Sequence, residues 1–489
     1  MMKLKILLSM LFLLYTQILS AKSDNNTTNV NIKNSIVKIF TVANVPDYGE
    51  PWSSHIKEFT GSGCIISGQR ILTNAHVVTD YTYVEVLKNG ETKRYEAEIL
   101  SIAHESDLAL ITVKDKSFFD NTNSLEFGEL PELQEKISVY GFPRGGDTLS
   151  ITNGVVSRIE HQVYVHSQKY HLAIQIDAAI NAGNSGGPAL SNGKIVGLVM
   201  QGKTSAENIG YIIPVSVIKH YFEDMKDKKY DGYPALGILT QTLESPVMKE
   251  MYGLKGKKLG VRIRELIPNS PGSKVLKAGD IMIAVDNFNI YSNYKVEFRD
   301  KEFTDYAYVS DMHQMGESID FTILRDGKEK RVTLFLDKKK DDLTFIKNRK
   351  PESKLSYYIY GGLVFVPGLK QYYLPSKYHR IYPDEEREEL VVLKRVLSSP
   401  LTKGYRSYGF GVVETVNGKG FKNFKEFVNL LESSKEKYIV FENEYYRQMV
   451  VKRKDVLKTQ NSILKKYNIK AAKSDDLQID KKEKALVLN

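Results

Sequence analysis

Apolar residues recur in short runs from residue 61 onward, at 63–67, 83–87, 108–113, 137–140, 154–159, 173–176 and 195–200. Gly, Asn, Asp and Pro separate them. Runs of this length at this spacing predict an all-β barrel or sandwich rather than alternating strands and helices. A helical period over 215–225 closes the region, and the charged run 226–231 reads as a linker. Residues 236–336 mix short strands with one or two helices. A second stretch rich in Lys and Asp follows at 337–350, then another mixed segment from 353. The phrase IMIAVDN at 281–287 returns as VVETVNG 131 residues later, which predicts two copies of one module. The expected divisions are a leader at 1–21, a β-rich domain at 22–230, modules at 231–338 and 353–460, and a helix with a charged tail at 461–489.

The totals change this picture little. At roughly 150 residues per domain, 489 residues suggest about three domains. The composition, 42% hydrophobic and 26% charged, is that of a chain able to bury a core in each. The net charge of +10 comes from lysines spread along the chain and concentrated at 452–484, where acids are interleaved, with no basic block beside a nucleic-acid motif, so nucleic acid is not an expected partner. At the N-terminus, Lys3 and Lys5 precede an apolar run at 6–14, with the small residues Ser20 and Ala21 behind it. The run is too short to span a bilayer comfortably, and the pattern predicts a cleaved signal peptide, with an uncleaved membrane anchor as the alternative, and a periplasmic or secreted protein. The single cysteine, Cys64, sits in a strand-like run and cannot form an internal disulfide; a buried structural thiol is expected. With one Cys and nine scattered His there is no ligand spacing for a metal, and no cofactor is expected.

Three segments carry chemistry. Gly183-Asn184-Ser185-Gly186-Gly187-Pro188 sets a serine among glycines, which permit tight turns and close substrate approach. Thr73-Asn74-Ala75-His76 puts a histidine where a strand ends, and Ser106-Asp107-Leu108 puts a carboxylate at the mouth of the next. A serine hydroxyl needs a base to take its proton, histidine has the right pKa for that task, and a buried carboxylate fixes the imidazole tautomer. The N–H groups of Gly183 and Ser185 can converge to meet an oxyanion. Each segment alone is commonplace: a Gly-flanked serine is usually a turn, a histidine at a strand end usually a surface residue, and His104 and Glu105 lie close to Asp107. Together, in the order His, Asp, Ser that chymotrypsin-like barrels use, they point to one catalytic site.

Gly61-Ser62-Gly63-Cys64, the segments around His76 and Asp107, Gly141-Phe142-Pro143 and the run 181–188 resemble the HtrA/Deg family of serine proteases over about residues 32–336. Gly141-Phe142-Pro143-Arg144, Tyr360-Gly361-Gly362-Leu363 and the run 464–477 look most like its plant-type branch. The resemblance implies a chymotrypsin-like double β-barrel followed by two PDZ-like α+β modules. It implies an ATP-independent serine endopeptidase acting on misfolded or damaged envelope proteins, and a homo-oligomer, a trimer or a multiple of one. His76, Asp107 and Ser185 correspond to its triad, and Gly183 and Ser185 to its oxyanion donors. Within the first module Ala235-Leu236-Gly237-Ile238, on its own equally a strand-initiating turn, would bind the C-terminal carboxylate of a peptide added as a β-strand. Gly361-Gly362-Leu363-Val364 is the matching segment of the second.

Ile180 and Leu198 are expected to line the primary specificity pocket, favouring small or medium apolar residues; Asp177 is the nearest carboxylate. The rival reading is a chaperone-like binding protein with a protease fold and little turnover. A third, weaker reading is an esterase, which the Gly-Asn-Ser-Gly-Gly motif and the order of the three residues disfavour.

Overall fold

The computed structural model describes residues 32–144, 146–202, 209–405 and 411–478. The expected leader at 1–21 and the end of the tail at 479–489 lie outside the described residues. Two compact units emerge. The first holds residues 58–232 and 295–314 with the strand before residue 44; the second holds 44–57, 233–294 and the chain from 315 onward.

The first unit is built on two closed barrels. Strands β1 (Ile36–Pro46), β2 (Ser54–Ile66), β3 (Arg70–Thr73), β4 (Tyr81–Lys88), β5 (Arg94–Ala103) and β6 (Leu108–Val113) close in the order β1-β2-β3-β6-β5-β4. Strands β7 (Lys136–Gly141), β8 (Ser150–Tyr164), β9 (Lys169–Ile176), β10 (Pro188–Ser191), β11 (Lys194–Gly202) and β12 (Gly210–Pro214) close in the order β10-β11-β12-β9-β8-β7. Closure leaves no open edge within either barrel. All six residues of β6 are buried, which is why it reads as a continuous apolar run. Cys64 is fully buried and paired with Leu72 across β2 and β3; burial pushes its thiol pKa far up, so it is an inert part of the wall. A helical turn α1 (Ala75–Val78) follows β3, and helix α2 (Val215–Asp224) buries Val215, Val217, Ile218 and Tyr221 against the second barrel's side of the unit.

Residues 295–314, expected to belong to the first module, fold with the barrels instead. They form the hairpin β17 (Lys295–Arg299) and β18 (Glu302–Asp305) and the turn α5 (Ala307–Asp311), numbered after the strands and helices that precede them in the chain. Asp311 Oδ2 lies 3.0 Å from His171 Nδ1 and 3.4 Å from His161 Nε2, clamping the β8–β9 hairpin. Arg299 donates to the Pro131 carbonyl at 2.9 Å, and His220 Nε2 meets the His313 carbonyl at 3.0 Å.

In the second unit, β13 (Ile238–Thr242), β14 (Val261–Leu266), β15 (Ile281–Val285), β16 (Phe288–Asn289), β19 (Ser318–Arg325) and β20 (Lys328–Phe335) form one sheet, with β13 at its edge and β16 paired to β15. Turns α3 (Pro246–Met251) and α4 (Pro271–Val275) accompany it. A second sheet runs β21 (Tyr358–Tyr360), β22 (Leu363–Pro367), β23 (Val391–Val396), β24 (Gly411–Val416), β25 (Tyr438–Asn443), β26 (Gln448–Lys452), with helices α6 (Phe424–Ser433) and α7 (Arg453–Lys466). Its core joins Phe365, Phe427 and Phe441, with ring centroids 4.8 Å apart for Phe365 and Phe441. The repeated phrase has a structural counterpart. β15 and β24 occupy matching sheet positions, and each ends in a left-handed residue, Asp286 (φ 45°) or Asn417 (φ 49°), types that tolerate that region. The α7 helix begins at Arg453, inside the span expected for the second module.

Candidate active site

His76 stands on α1, directly after β3, and Asp107 on the turn before β6; both elements belong to the first barrel. Asp107 adopts φ 55°, and the Asn74 side-chain amide donates to its carbonyl at 2.9 Å, fixing that turn. The result aims the carboxylate at one residue. Oδ1 accepts the His76 backbone N–H at 2.9 Å, and Oδ2 lies 2.8 Å from His76 Nδ1. The Asp107 side chain is 1% exposed, whereas a third of the His76 side chain reaches solvent. Burial opposes the charged imidazole, but the charge of Asp107 and its hydrogen bond outweigh this and hold His76 above the ordinary histidine range. Burial likewise opposes the Asp107 carboxylate, and the charge and hydrogen bond of His76, with His166 nearby, bring it below the usual range. His104 bonds His166 at 2.9 Å and Glu105 bonds Lys169 at 3.1 Å, so neither replaces Asp107 on His76.

Ser185 lies on the second barrel, in the loop before β10. Gly183 (φ 101°) and Gly186 (φ 82°) hold conformations that need glycine, and a Cβ at Gly183 would collide with the Phe142 carbonyl. Amide use along this loop is uneven. Asn184 donates to Asn181, Gly186 to Val199 and Gly187 to Asn184, at 2.9–3.0 Å. Among the described residues the N–H groups of Gly183 and Ser185 have no acceptor. The Ala182 carbonyl accepts from Arg144 N–H at 2.7 Å, and a trans peptide therefore turns Gly183 N–H to the opposite side. The Ser185 hydroxyl donates to the Met200 carbonyl at 3.3 Å, and no hydrogen bond to His76 is formed in this state. Such contacts commonly tighten only with substrate bound.

The pocket expectation needs correction. Leu198 is fully buried in the barrel core, paired with Pro188 and Ile213, and cannot line an open pocket. Ile180 stays partly exposed, with its side chain against Gly210, where no other residue leaves room for it. Asp177 is engaged elsewhere, accepting Val155 N–H at 2.6 Å.

In the second unit, Ala235 N–H donates to the Lys338 carbonyl at 2.8 Å, so this member of the expected loop is not a free carboxylate donor. The carbonyls of Leu236 and Gly237 accept from Gly272 and Ile267, both at 2.9 Å, which turns the N–H groups of Gly237 and Ile238 the other way. Ile238 opens β13, the edge strand of its sheet. The matching segment of the second module is different. Gly361 and Gly362, both at positive φ, make the tight turn between β21 and β22, and β22 is flanked on both sides, by β21 and β23. Gly361-Gly362-Leu363-Val364 is therefore an internal hairpin with no open edge for an added strand.

Residues 61–198 match the trypsin-like peptidase domain family and residues 346–476 the PDZ domain family. The chain is 35% identical over 465 residues to "Putative protease Do-like 3, mitochondrial" of Arabidopsis thaliana, covering 94% of this chain and 83% of that protein. The chain belongs to the HtrA/Deg family of Do-like serine proteases. A second Arabidopsis relative of this HtrA/Deg protease, "Protease Do-like 2, chloroplastic", is 36% identical over 464 residues, covering 91% of this chain and 75% of the relative. The fold is also that of the HtrA-type protease AlgW solved with a tripeptide, with a TM-score of 0.51, 20% identity, and 63% and 95% of the two chains covered. The enzyme class is serine endopeptidase. The mitochondrial and chloroplastic names of the relatives overturn the periplasmic or secreted expectation and point to an organelle. A short apolar run behind two lysines does not separate the routes by itself, because both begin with a cationic N-terminal segment.

Asn74 and the Met200 carbonyl went unremarked in the sequence. Asn74 lies within the histidine segment and was legible as a polar residue two positions before His76. A backbone carbonyl leaves no trace in a sequence.

Proposed function

We propose that this HtrA/Deg protease hydrolyses peptide bonds of misfolded or damaged proteins in an organellar compartment, without ATP, using His76, Asp107 and Ser185. Ser185 Oγ attacks the scissile carbonyl while His76 takes its proton. Asp107 keeps the His76 proton on Nδ1, so the other ring nitrogen is the base, and stabilises the imidazolium. The oxyanion is met by the N–H groups of Gly183 and Ser185. His76 then gives its proton to the leaving amine, and water repeats the sequence on the acyl-enzyme. The observation that carries this reading is the pair of hydrogen bonds between Asp107 and His76, at 2.9 and 2.8 Å, together with the N–H groups of Gly183 and Ser185, which have no acceptor among the described residues.

Ile180 shapes a pocket for small or medium apolar residues. The loop of Leu236, Gly237 and Ile238 receives a peptide C-terminus, with the peptide strand adding to β13, and this docking regulates the protease. The working form is a homo-oligomer. Digestion of unfolded casein without nucleotide, by wild type and by Ser185→Ala, tests the proposal. Degradation by wild type alone supports it. Binding and aggregation suppression by both, with cleavage by neither, supports the chaperone reading instead.

A further inference from the structure

Ser62 lies on β2, is fully buried, and is not one of the three residues assigned to chemistry. Its hydroxyl accepts Phe142 N–H at 2.8 Å and donates to the Gly183 carbonyl at 2.7 Å. A hydroxyl is suited to this double role, being donor and acceptor at once. Its backbone is also engaged: Ser62 N–H donates to the Ser185 carbonyl at 2.8 Å, and the Ser62 carbonyl accepts from Thr73 Oγ1 at 2.7 Å.

These bonds bear on the geometry of Gly183. Two peptide planes meet there. The plane before it is held by Arg144 N–H on the Ala182 carbonyl, and the plane after it by Ser62 Oγ on the Gly183 carbonyl. Glycine has no Cβ to bar other conformations, so nothing intrinsic keeps φ at 101°. Without the Ser62 hydroxyl, the Gly183 carbonyl and Phe142 N–H are both left unpaired in a buried site, and the loop gains by turning to new partners. The Gly183 N–H lies in the first of these planes, so Ser62 acts on it through the Gly183 Cα: once the second plane is free to turn, that hinge is fixed at one end only and the N–H loses alignment with the place where an oxyanion forms.

We propose that Ser62 is the positioning residue of the oxyanion loop: its hydroxyl, bridging Phe142 and Gly183, holds the Gly183 amide ready for the reacting carbonyl. This rests on the reading of Ser185 as nucleophile and Gly183 as oxyanion donor. It differs from a general packing role because Ser62→Ala removes only the hydroxyl bonds. The backbone bonds from Ser62 to Ser185 and from Thr73 to Ser62 do not depend on the side chain of Ser62.

The test compares wild type, Ser62→Ala, Ser62→Cys and Ser185→Ala on one short chromogenic peptide, together with affinity for a peptide boronate, whose adduct needs the oxyanion site. Loss of one oxyanion donor costs about 10²–10³ in kcat. Ser62→Ala should lower kcat by about 10²-fold, leave KM within about threefold, and weaken the boronate by a factor similar to the kcat loss. Ser62→Cys, of similar shape but a weaker donor, should fall between the two. If Ser62→Ala does not fold, a selective loss of kcat in Ser62→Cys carries the same conclusion. The proposal is overturned if kcat and boronate affinity stay within about twofold of wild type, or if KM, thermal stability and kcat fall together in both variants. A wild type that cleaves no better than Ser185→Ala overturns the site assignment itself, and the proposal with it.

Discussion

Replacing Asp107 by Asn tests the His76–Asp107 couple most severely, because the change preserves shape while removing one acceptor and the charge. The carboxylate uses its two oxygens on two donors of the same residue, the His76 N–H at 2.9 Å and Nδ1 at 2.8 Å. Asparagine has one oxygen. If that oxygen faces the backbone N–H, the amide NH2 meets Nδ1, which must then be an acceptor. The ring proton moves to Nε2, and the imidazole cannot take a proton from Ser185. If the oxygen faces Nδ1 instead, the NH2 opposes the backbone N–H in a buried pocket, two donors with no acceptor between them. Either way the productive tautomer is lost, which in a triad of this kind costs about 10⁴ in kcat, or about 5 kcal/mol of barrier. KM should change little, because Asp107 is buried away from the substrate. The pH profile adds a second sign. In wild type the charge and hydrogen bond of Asp107 hold His76 above the ordinary histidine range against the effect of burial. The rising limb of kcat/KM should therefore lie above about pH 6.5. In Asp107→Asn burial is unopposed, and the limb of the residual activity should move below the wild-type position. The assay is kcat and KM on a chromogenic peptide from pH 5 to 9, with thermal unfolding confirming a folded variant. A loss of less than about tenfold at pH 8, or an unmoved limb, would refute the reasoning.

Two further predictions follow from contacts away from the couple. Ile180→Ala should widen the pocket and shift cleavage toward larger apolar residues by about tenfold or more in relative kcat/KM, read from a peptide library, with Lys and Arg still disfavoured because Asp177 is engaged by Val155. Asp311→Asn should lower the unfolding stability of the barrel unit by about 1–3 kcal/mol in urea, since His161 and His171 exchange a charged acceptor for a neutral amide. Burial opposes the Asp311 charge, but His171 and His161 bring its carboxyl below the usual range. A carboxyl so lowered stabilises the fold above the unfolded value of about 4 and loses that contribution as pH falls toward its folded value. The gap between wild type and Asp311→Asn should therefore be full near neutrality and shrink in acid.

Strands buried on both faces were the most legible part of this fold. β6 reads LALITV and is buried throughout, whereas β5 alternates exposed and half-buried residues in RYEAEILSIA and leaves no comparable run. β1 is apolar but follows an Asn-rich stretch, which hid it. His76 and Asp107, which the structure pairs, could be read because each sits beside residues that the local turn requires. Their mutual geometry could not, since it depends on barrels closing over long separations. The same limit hid the partnership of Asp311 with His171, 140 residues apart, which ties the segment 295–314 to the barrels. Leu198 was misplaced for a simpler reason: an apolar residue in a strand can face a pocket or a core, and the sequence near it is apolar on both faces. Ala235 and the Gly361-Gly362 pair were read from loop composition alone. Hydrogen bonding of Ala235 to Lys338, and the pairing of β21 with β22, decide what such loops can bind.

The most direct measurement is covalent trapping of the nucleophile. Wild type, Ser185→Ala and His76→Ala would be treated with a peptidyl phosphonate carrying a small apolar residue, and the adduct located by mass spectrometry of proteolytic fragments. The account predicts one stoichiometric adduct on Ser185 in wild type, none in Ser185→Ala, and labelling slowed by orders of magnitude in His76→Ala. An adduct on another residue, or undiminished peptide cleavage by Ser185→Ala, would contradict it.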